Sequence, residues 1–216
     1  MWIGTDGQGL IQLYHYDSLF ETVHTSHPVR CFCEDEDGNI LIGTKGSGIK
    51  LLNPATKELT DYLNESKGLI SNSVYALRRN KANDIFIGTE GTGINILNAA
   101  TGRLEKLEIP DKYPPFKAVY NIYFTNNDSL LWVGTSGYGL IKINISREQG
   151  RYHVKGFRQY NSSDKNISLN NDVVYAITSD PENNMLWFGT RGGGLNCINM
   201  KDNSIKSLED MDSRIL

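Results

Sequence analysis

The chain contains five copies of one pattern, which in its central form reads Trp132-Val133-Gly134-Thr135-Ser136-Gly137-Tyr138-Gly139-Leu140. The other copies begin at Trp2, Leu41, Phe86 and Trp187. The glycine of each Gly-Thr pair falls at 4, 43, 88, 134 and 189, so successive copies are 39, 45, 46 and 55 residues apart. Recurrence at this period indicates a protein built from repeated structural units.

Each repeat contains four short runs with the pattern of β-strands. The first run alternates apolar and polar residues, at Val29–Cys33, Val74–Arg78, Val119–Tyr123 and Val173–Ile177. A polar turn leads to the run that ends in Gly-Thr, and the Gly-x-Gly turn then leads to a third run, such as Ile94–Leu97 or Leu140–Asn144. A more polar fourth run follows, such as Leu59–Tyr62 or Phe157–Tyr160. Since no segment keeps a helical period, the pattern predicts an all-β fold.

Four antiparallel strands in each repeat predict a β-propeller with about five blades. The repeats are expected near 1–28, 29–72, 73–117, 118–171 and 172–212, within a single propeller region that covers 1–216. One blade cannot bury both of its faces alone, so neighbouring blades must stack. The large residues before each Gly-Thr pair are predicted to pack between blades: Trp2, Leu41, Phe86, Trp132 and Trp187. The paired glycines suit tight turns that need a positive φ.

These repeats resemble those of the two-component regulator propeller family. The resemblance rests on the Gly-Thr-x-Gly-x-Gly phrase and on the preceding runs Asn72–Leu77 and Asn171–Ile177, and it covers all five repeats. It implies a periplasmic sensor region of a Bacteroidetes-type hybrid two-component system, which detects oligosaccharides without catalysis. It also implies a larger, seven-bladed propeller, neighbouring domains of a parent protein and a histidine kinase and regulator outside this chain.

The two ends of the sequence leave two interpretations open. The chain starts inside a second strand, and residues 213–216 align with a first strand. One interpretation, which we favour, is a part of a larger propeller, whose exposed blade faces and edges a homodimer would cover. In the other, residues 213–216 pair with Trp2–Thr5 and close a five-bladed ring, which removes exposed edges.

Composition excludes several other classes of protein. The 216 residues carry a formal charge of −3 with no basic block, so no nucleic-acid partner is expected. The apolar runs are too short to span a bilayer, so this segment is expected to make no membrane contact. No signal peptide is visible, and the periplasmic location therefore comes from the resemblance. The three cysteines form no disulfide framework or zinc motif, so no metal is expected. The Gly-Thr-x-Gly-x-Gly phrase lacks the Lys-Ser/Thr of a phosphate loop, and no cofactor is expected.

The candidate ligand site lies on the face that carries the Gly-x-Gly loops and the connections between repeats. Function in repeat proteins is usually found in loops on a rigid scaffold. Sugar binding needs flat aromatic rings and planar polar groups. The candidate ligand-binding residues on this face are Lys45, Glu90, Tyr113, Tyr138 and Arg191.

Two alternatives to a sensor remain open from the sequence. The first is a propeller lyase or hydrolase that acts on a polysaccharide, for which His27 and Glu90 are the candidate catalytic groups. The chain contains no nucleophile elbow and no metalloprotease helix motif, so an enzyme is not the expected class. The second alternative is a protein-interaction scaffold.

Overall fold

The computed structural model describes residues 2–5, 9–13, 20–164 and 169–208. The regular structure of these residues is β, apart from a single-turn 3₁₀ helix at Glu65–Lys67. The strands are β1 (Trp2–Thr5), β2 (Gly9–Leu13), β3 (Phe20–Val23), β4 (Val29–Glu34), β5 (Ile40–Thr44), β6 (Ile49–Leu52), β7 (Leu59–Leu63), β8 (Val74–Arg79), β9 (Ile85–Thr89), β10 (Ile94–Leu97), β11 (Leu104–Lys106), β12 (Val119–Thr125), β13 (Leu130–Thr135), β14 (Leu140–Glu148), β15 (Arg151–Tyr160), β16 (Val174–Asp180), β17 (Met185–Thr190), β18 (Gly194–Asn199) and β19 (Ile205–Ser207). No helix in the described ranges is long and apolar enough to cross a bilayer.

The strands form antiparallel sheets in chain order, which confirms the predicted propeller blades. Blade 2 consists of β4–β7, blade 3 of β8–β11, blade 4 of β12–β15 and blade 5 of β16–β19. Blade 1 has three described strands, β1–β3, and β1 pairs with β2 as the second strand of every other blade pairs with the third. The predicted strand at 213–216 lies outside the described residues. The extent of the propeller region and its repeat boundaries stay predictions.

The outer hairpin of blade 4 is longer than the sequence predicts. The predicted runs Leu140–Asn144 and Phe157–Tyr160 are the inner parts of β14 and β15, which continue to Glu148 and Arg151. Gln149 and Gly150 close the hairpin with φ of 52° and 80°. Two successive positive φ values are what a type I′ turn requires, and its twist matches the flanking strands. The residues at this tip are polar, so the sequence pattern did not predict that the two strands extend to it.

The chain divides into two compact units, 1–106 with blades 1–3 and 107–216 with blades 4 and 5. In the first unit one apolar cluster joins blades 1 and 2 and consists of Leu10, Val29, Ile40, Ile42 and Leu52. A second cluster joins blades 2 and 3 and includes Leu41, Ile49, Val74, Leu77, Ile85 and Ile87. In the second unit a cluster joins blades 4 and 5 and includes Trp132, Leu140, Tyr160, Val174, Ile177, Leu186 and Phe188. The core of each unit therefore lies between stacked blades.

The strand that ends in a Gly-Thr pair can contribute to the interfaces with both neighbouring blades, as β5 shows. Leu41 packs in the cluster with blade 3, whereas its neighbour Ile42 packs in the cluster with blade 1. Successive residues of a strand point to opposite faces of the sheet, so one apolar pair can serve two neighbours. Trp132 is fully buried against blade 5 and donates its indole N–H to Thr125 Oγ1 at 3.0 Å. Trp187 differs, since it is only half-buried.

The glycine of the Gly-Thr pair permits a close approach between blades. A Cβ on Gly43 would lie 2.8 Å from Val74 Cγ1 of blade 3 and would also overlap Cys31 Sγ. A Cβ on Gly134 would lie 2.7 Å from the Val174 carbonyl oxygen of blade 5. Real Cβ atoms do not make contacts this short, so a hydrogen atom is required at this position.

We expect Gly43→Ala to destabilise the protein by about 1–3 kcal/mol, because the methyl group overpacks the interface of blades 2 and 3. Gly189→Ala is the matched control at the same repeat position in blade 5, where the nearest atom to an added Cβ is Ala176 Cβ at 4.0 Å. The control should change stability by less than about 0.5 kcal/mol. Urea unfolding of the two variants measures the difference, and equal costs would contradict the close-approach explanation.

The three cysteines are free thiols in strands of blades 2 and 5. Burial raises the pKa of Cys31, Cys33 and Cys197 above the usual thiol value. For Cys31 the neighbouring Cys33 raises the pKa further. The thiolate is the reactive form, so all three are expected to be unreactive in the folded protein.

At pH 8 we therefore expect an aromatic disulfide reagent to modify the folded protein at least tenfold more slowly than free cysteine. In guanidinium all three thiols should react with the reagent at the rate of free cysteine, because unfolding removes the burial that raises their pKa values. The released thiolate of the reagent, followed by absorbance, measures both rates. Fast modification of one thiol without denaturant would show that its strand is open to solvent.

Candidate functional site

The residue after each Gly-Thr pair occupies the same backbone position in four blades. Its amide N–H donates to the carbonyl just before the first strand of its own blade: Lys45 to Pro28 at 3.0 Å, Glu90 to Ser73 at 2.9 Å, Ser136 to Ala118 at 2.9 Å and Arg191 to Val173 at 2.9 Å. The backbone of this position is therefore constant, and its side chain changes from cation to anion to hydroxyl. A constant frame with variable side chains is the arrangement expected of a binding face.

The threonine of the pair fixes the Gly-x-Gly loop. Thr135 Oγ1 donates to the Gly139 carbonyl at 2.8 Å and accepts from the Tyr138 amide at 3.1 Å. Thr44 makes the same two bonds in blade 2, with Gly48 and Ser47. Both threonines are fully buried. Their hydroxyl groups satisfy loop groups that water cannot reach, which gives the loop one conformation.

In blades 2 and 4 a second set of bonds attaches the Gly-x-Gly loop to the connection that follows the blade. The amides of Gly46 and Gly48 both donate to the Asn72 carbonyl, at 3.1 and 2.8 Å. The amides of Gly137 and Gly139 donate to the Asp172 carbonyl in the same way, at 2.9 and 2.8 Å. We call this arrangement the loop clasp. It places the Gly-x-Gly loops of blades 2 and 4 beside an inter-blade connection.

The side chains of the clasp residues organise the connections themselves. Asn72 Oδ1 accepts from the Glu65 amide at 2.8 Å, and Glu65 Oε1 accepts from the Asn72 amide at 2.9 Å. In the second unit Asp172 accepts from both the amide and the hydroxyl of Ser162, at 2.6 and 2.8 Å. Each connection is thus closed on itself at the point where the loop is attached.

The structure places Lys45 and Glu90 on neighbouring blades of the first unit. Both residues are exposed, and both contact the backbone of Ser73. Lys45 forms an isolated β-bridge with Ser73, and the Ser73 carbonyl accepts a hydrogen bond from the Glu90 amide. In the second unit Arg191 is exposed and Tyr138 is half-buried. Tyr138 occupies the loop position of Ser47 rather than that of Arg191, as its bond to Thr135 shows. The ligand-binding role of these residues stays a prediction.

Tyr113 is used in packing to a greater extent than its loop position suggests. Its ring stacks on Phe157 with centroids 5.0 Å apart and an interplanar angle of 20°, and Phe157 also packs near Phe116. Lys112 Nζ lies 5.0 Å from the Tyr113 ring centroid. Part of the Tyr113 ring is therefore occupied by neighbours within its own unit.

An open polar cavity of about 510 Å³ lies on the loop face of the first unit. The loop of blade 2 and the adjoining connection form its wall with Ser47, Asn64, Glu65, Ser66 and Asn72, and Ser26, Lys50 and Asp61 complete the lining. The loop clasp at Asn72 brings these segments together. The lining consists of hydroxyl, amide, carboxylate and ammonium groups.

The charges of this cavity are arranged asymmetrically. Lys50 Nζ donates to Asp61 Oδ1 at 2.5 Å, and the side chain of Lys50 is 12% exposed whereas that of Asp61 is 73% exposed. This hydrogen bond holds the pKa of Asp61 below its usual value, so Asp61 is an anion at neutral pH. The carboxylate therefore faces the solvent side of the cavity, with the ammonium group behind it.

His27 lies at the edge of the same loop. Its Nδ1 is 2.6 Å from Ser47 Oγ and 3.1 Å from Ser26 Oγ, and both serines line the cavity. The sequence pairs His27 with Glu90 as candidate catalytic groups, but the contacts of His27 are to hydroxyl groups of its own blade. Among the described residues no cluster of three or more His, Cys, Asp or Glu side chains is placed to hold a metal ion.

Sequence reasoning missed most of the cavity. It singled out the connections and the Gly-x-Gly loops, but it placed Asp61 in a fourth run and gave Lys50 no role. The two are cross-strand partners on β6 and β7, a register that follows from sheet pairing. Opposite charges at alternate positions of consecutive strands are the signal that could have indicated this pair.

Blades, clasped loops and inter-blade cores define a repeat protein of the β-propeller class. Residues 25–46 and 168–192 match the family model described as two component regulator propeller. The predicted resemblance is confirmed for these two segments, which are similar to repeats of this family. No curated protein matches the chain at a significant level.

Solved structures show the same fold. The extracellular domain of the hybrid two component system BT3049 from B. thetaiotaomicron matches with a TM-score of 0.72 at 23% identity, over 94% of this chain and 26% of that one. The Cps50 (Swd1) beta-propeller domain of Myceliophteria thermophila matches with a TM-score of 0.67 at 11% identity, over 95% and 67%. An auxiliary nutrient binding protein from Bacteroides ovatus matches with a TM-score of 0.64 at 11% identity, over 95% and 52%. The chain thus spans about a quarter of the first of these proteins.

Thr135→Val tests how far the loop geometry depends on the buried hydroxyl. The change keeps the shape but removes the acceptor of the Tyr138 amide, and it leaves the Gly139 carbonyl with only the 3.3 Å bond from the Thr135 amide, which should cost about 1–3 kcal/mol. Thr190→Val is the matched control in blade 5, because Thr190 is half-buried and its bond to the Gly194 carbonyl is longer, at 3.3 Å. Urea unfolding should show a clearly smaller loss for the control. A loss as large as that of Thr135→Val would contradict the assigned role.

Proposed function

We propose that this chain is the ligand-sensing part of an extracytoplasmic propeller in a hybrid two-component signalling protein, and that it binds an oligosaccharide without catalysis. The observation that carries the proposal is the polar cavity between the Gly-x-Gly loop of blade 2 and the connection 64–72. The family match to two component regulator propellers supports the signalling role. The kinase and the membrane anchor belong to parts of the parent protein outside this segment.

The chemistry of the cavity suits a sugar. Its volume lies in the range of small-molecule sites, but its lining is more polar than such sites usually are. Planar carboxylate and amide groups, such as Asp61, Glu65 and Asn64, can each bond two adjacent hydroxyl groups of a ligand. Ser47 and Ser66 add donors that rotate to suit. A polyhydroxylated ligand can use the remaining donor and acceptor capacity of this lining, whereas an apolar ligand would cover these polar groups without bonding them.

The same arrangement offers a route by which a ligand in the cavity could alter the packing of the blades. Glu65 lines the cavity and also bonds Asn72, whose carbonyl holds the loop of blade 2. A ligand that bonds Glu65 changes the stability of the clasp between blades 2 and 3. A signal follows only if the ligand binds two arrangements of these blades with different affinity.

A hydrolase is the second candidate function, because Ser47 Oγ lies 2.6 Å from His27 Nδ1 on the wall of the cavity. A serine next to an imidazole is the first requirement of a nucleophilic site. Release of reducing ends from a bound oligosaccharide, lost in His27→Ala, would favour this function over sensing.

The proposal is tested by thermal shift and calorimetry with neutral and acidic hexasaccharides, including xylohexaose, cellohexaose, mannohexaose and hexagalacturonate. At a concentration 100 times its Kd, a specific ligand adds about 2.7 kcal/mol to the stability, which is a clear shift in Tm. Ser66→Trp fills the cavity and should weaken this binding at least tenfold. We expect an analysis of the sugar after incubation to show no cleavage products.

Ser163→Trp is the matched control for this variant. Ser66 Oγ donates to Asn64 Oδ1 and Ser163 Oγ donates to Asn161 Oδ1, so the two serines make the same side-chain hydrogen bond in the two connections. Ser163→Trp should bind as the unmodified chain does. Equal affinity of Ser66→Trp and Ser163→Trp for a bound sugar, or no binding of any member of the panel, would overturn the proposal.

A further inference from the structure

Two carboxylate groups line the polar cavity, and each retains acceptor capacity for a ligand. Asp61 Oδ1 accepts from Lys50 Nζ, and Glu65 Oε1 accepts from the Asn72 amide. Among the described residues no donor bonds the second oxygen of either group, Asp61 Oδ2 or Glu65 Oε2. Both residues are exposed to solvent. A ligand in the cavity therefore meets two negatively charged oxygens that still accept hydrogen bonds.

The cations beside these oxygens already have acceptors. In the described lining Lys50 is the one ammonium group, and its side chain is 12% exposed. The bond from Lys50 and the charge of Lys67 both lower the pKa of Asp61, but Lys67 Nζ donates to the Tyr62 carbonyl at 2.8 Å and does not line the cavity. With two carboxylates and one ammonium group, the lining carries a net negative charge. This charge favours a cationic ligand over an anionic one.

We propose that the cavity selects an oligosaccharide of amino sugars, in which an ammonium group donates to Asp61 Oδ2 and a further donor bonds Glu65 Oε2. An ammonium group has three N–H donors and no acceptor, whereas a carboxylate only accepts, so the two groups are complementary. A charge-assisted bond of this kind is roughly twice as strong as a bond from a neutral hydroxyl group. A uronic acid would place a third carboxylate beside Asp61 and Glu65, and adjacent like charges repel.

The rest of the lining favours an amino sugar over a simple amine. Ser47, Ser66 and Asn64 add neutral hydroxyl and amide groups to the wall. The cavity holds about 510 Å³, which is far more than one ammonium group fills. The sugar hydroxyl groups can bond these neutral side chains while the ammonium group bonds Asp61.

The preference for an amino sugar rests on the proposed function, because it names the class of sugar that the cavity binds. The proposed function requires only that an oligosaccharide binds in the cavity. The preference requires in addition that a positive charge on the sugar strengthens the binding. Loss of all binding therefore overturns both, whereas binding without a preference overturns only the preference.

The test compares three hexasaccharides with the same β-1,4-linked chain, which differ only in the group at C2. Chitosan hexamer carries an ammonium group there, cellohexaose a hydroxyl group and chitohexaose an acetamide group. Calorimetry on the full chain at pH 6 measures the three Kd values. At this pH the sugar amine is protonated, and Asp61 is ionised because the hydrogen bond from Lys50 lowers its pKa. We expect chitosan hexamer to bind about tenfold more tightly than either neutral sugar.

Asp61→Asn keeps the shape of the side chain and removes its charge. The ratio of the cellohexaose Kd to the chitosan hexamer Kd should fall from about ten to about two, while cellohexaose itself binds as before. Because this change leaves the Lys50 ammonium group without a carboxylate, the double variant Lys50→Gln, Asp61→Asn replaces the whole ion pair and should show the same fall. Thermal unfolding checks that each variant is folded. Asp37→Asn is the matched control, since Asp37 is an exposed aspartate of the same blade outside the cavity lining, and it should keep the ratio.

Equal affinities for chitosan hexamer and cellohexaose would overturn the preference for amino sugars. A ratio that stays near ten in both Asp61 variants, or that falls as far in Asp37→Asn, would overturn it as well, since the charge at Asp61 would then not be its cause. Tighter binding of hexagalacturonate than of chitosan hexamer would also overturn it. In each of these cases, cellohexaose binding that Ser66→Trp weakens would still support the proposed function.

Discussion

The close approach of a Gly-Thr glycine to the valine that opens the next blade is the constraint on which the structure depends. Gly43 meets Val74 in the first unit, and Gly134 meets Val174 in the second. Because no side chain separates these strands, the residues just before each valine come within hydrogen-bond distance of the preceding Gly-x-Gly loop. Asn72 and Asp172 can then accept two loop amides each. Packing in the core thus sets the geometry of the loop face. A larger side chain at the glycine would therefore disturb both the packing between blades and the hydrogen bonds of the loop.

Backbone and side chains have separate tasks in this repeat. A bulge in the first strand recurs in blades 2 to 5, and the clasp carbonyl and the buried threonine hydroxyl recur in blades 2 and 4. These features use backbone groups or that one hydroxyl. The side chains that follow the Gly-Thr pair carry no part of this frame, so Lys45, Glu90 and Arg191 can differ without cost to the fold. This division allows one scaffold to hold a polar cavity among the loops of one unit.

The sequence predicts the blades well because their signals are local and periodic. Alternating runs, Asp-Gly turns and five Gly-Thr copies each act within a few residues, and β4, β8 and β10 begin where the pattern places them. The length of β15 was missed, because a polar hairpin tip resembles a loop until its partner strand is known. The cavity was missed for the same reason. Lys50 meets Asp61 through strand pairing that joins residues 11 positions apart.

The loop clasp differs between the two units, and the difference bears on how binding could alter the structure. In the second unit Asp172 closes its connection on Ser162 by two short hydrogen bonds. In the first unit Asn72 is held by the carboxylate of Glu65, a group that also faces the cavity. A ligand hydroxyl at Glu65 therefore competes with, or reinforces, a bond on which the loop of blade 2 depends. The cavity lies beside a clasp that a ligand can reach, so under the proposed function we expect the interface of blades 2 and 3 to be the place where occupancy changes blade packing.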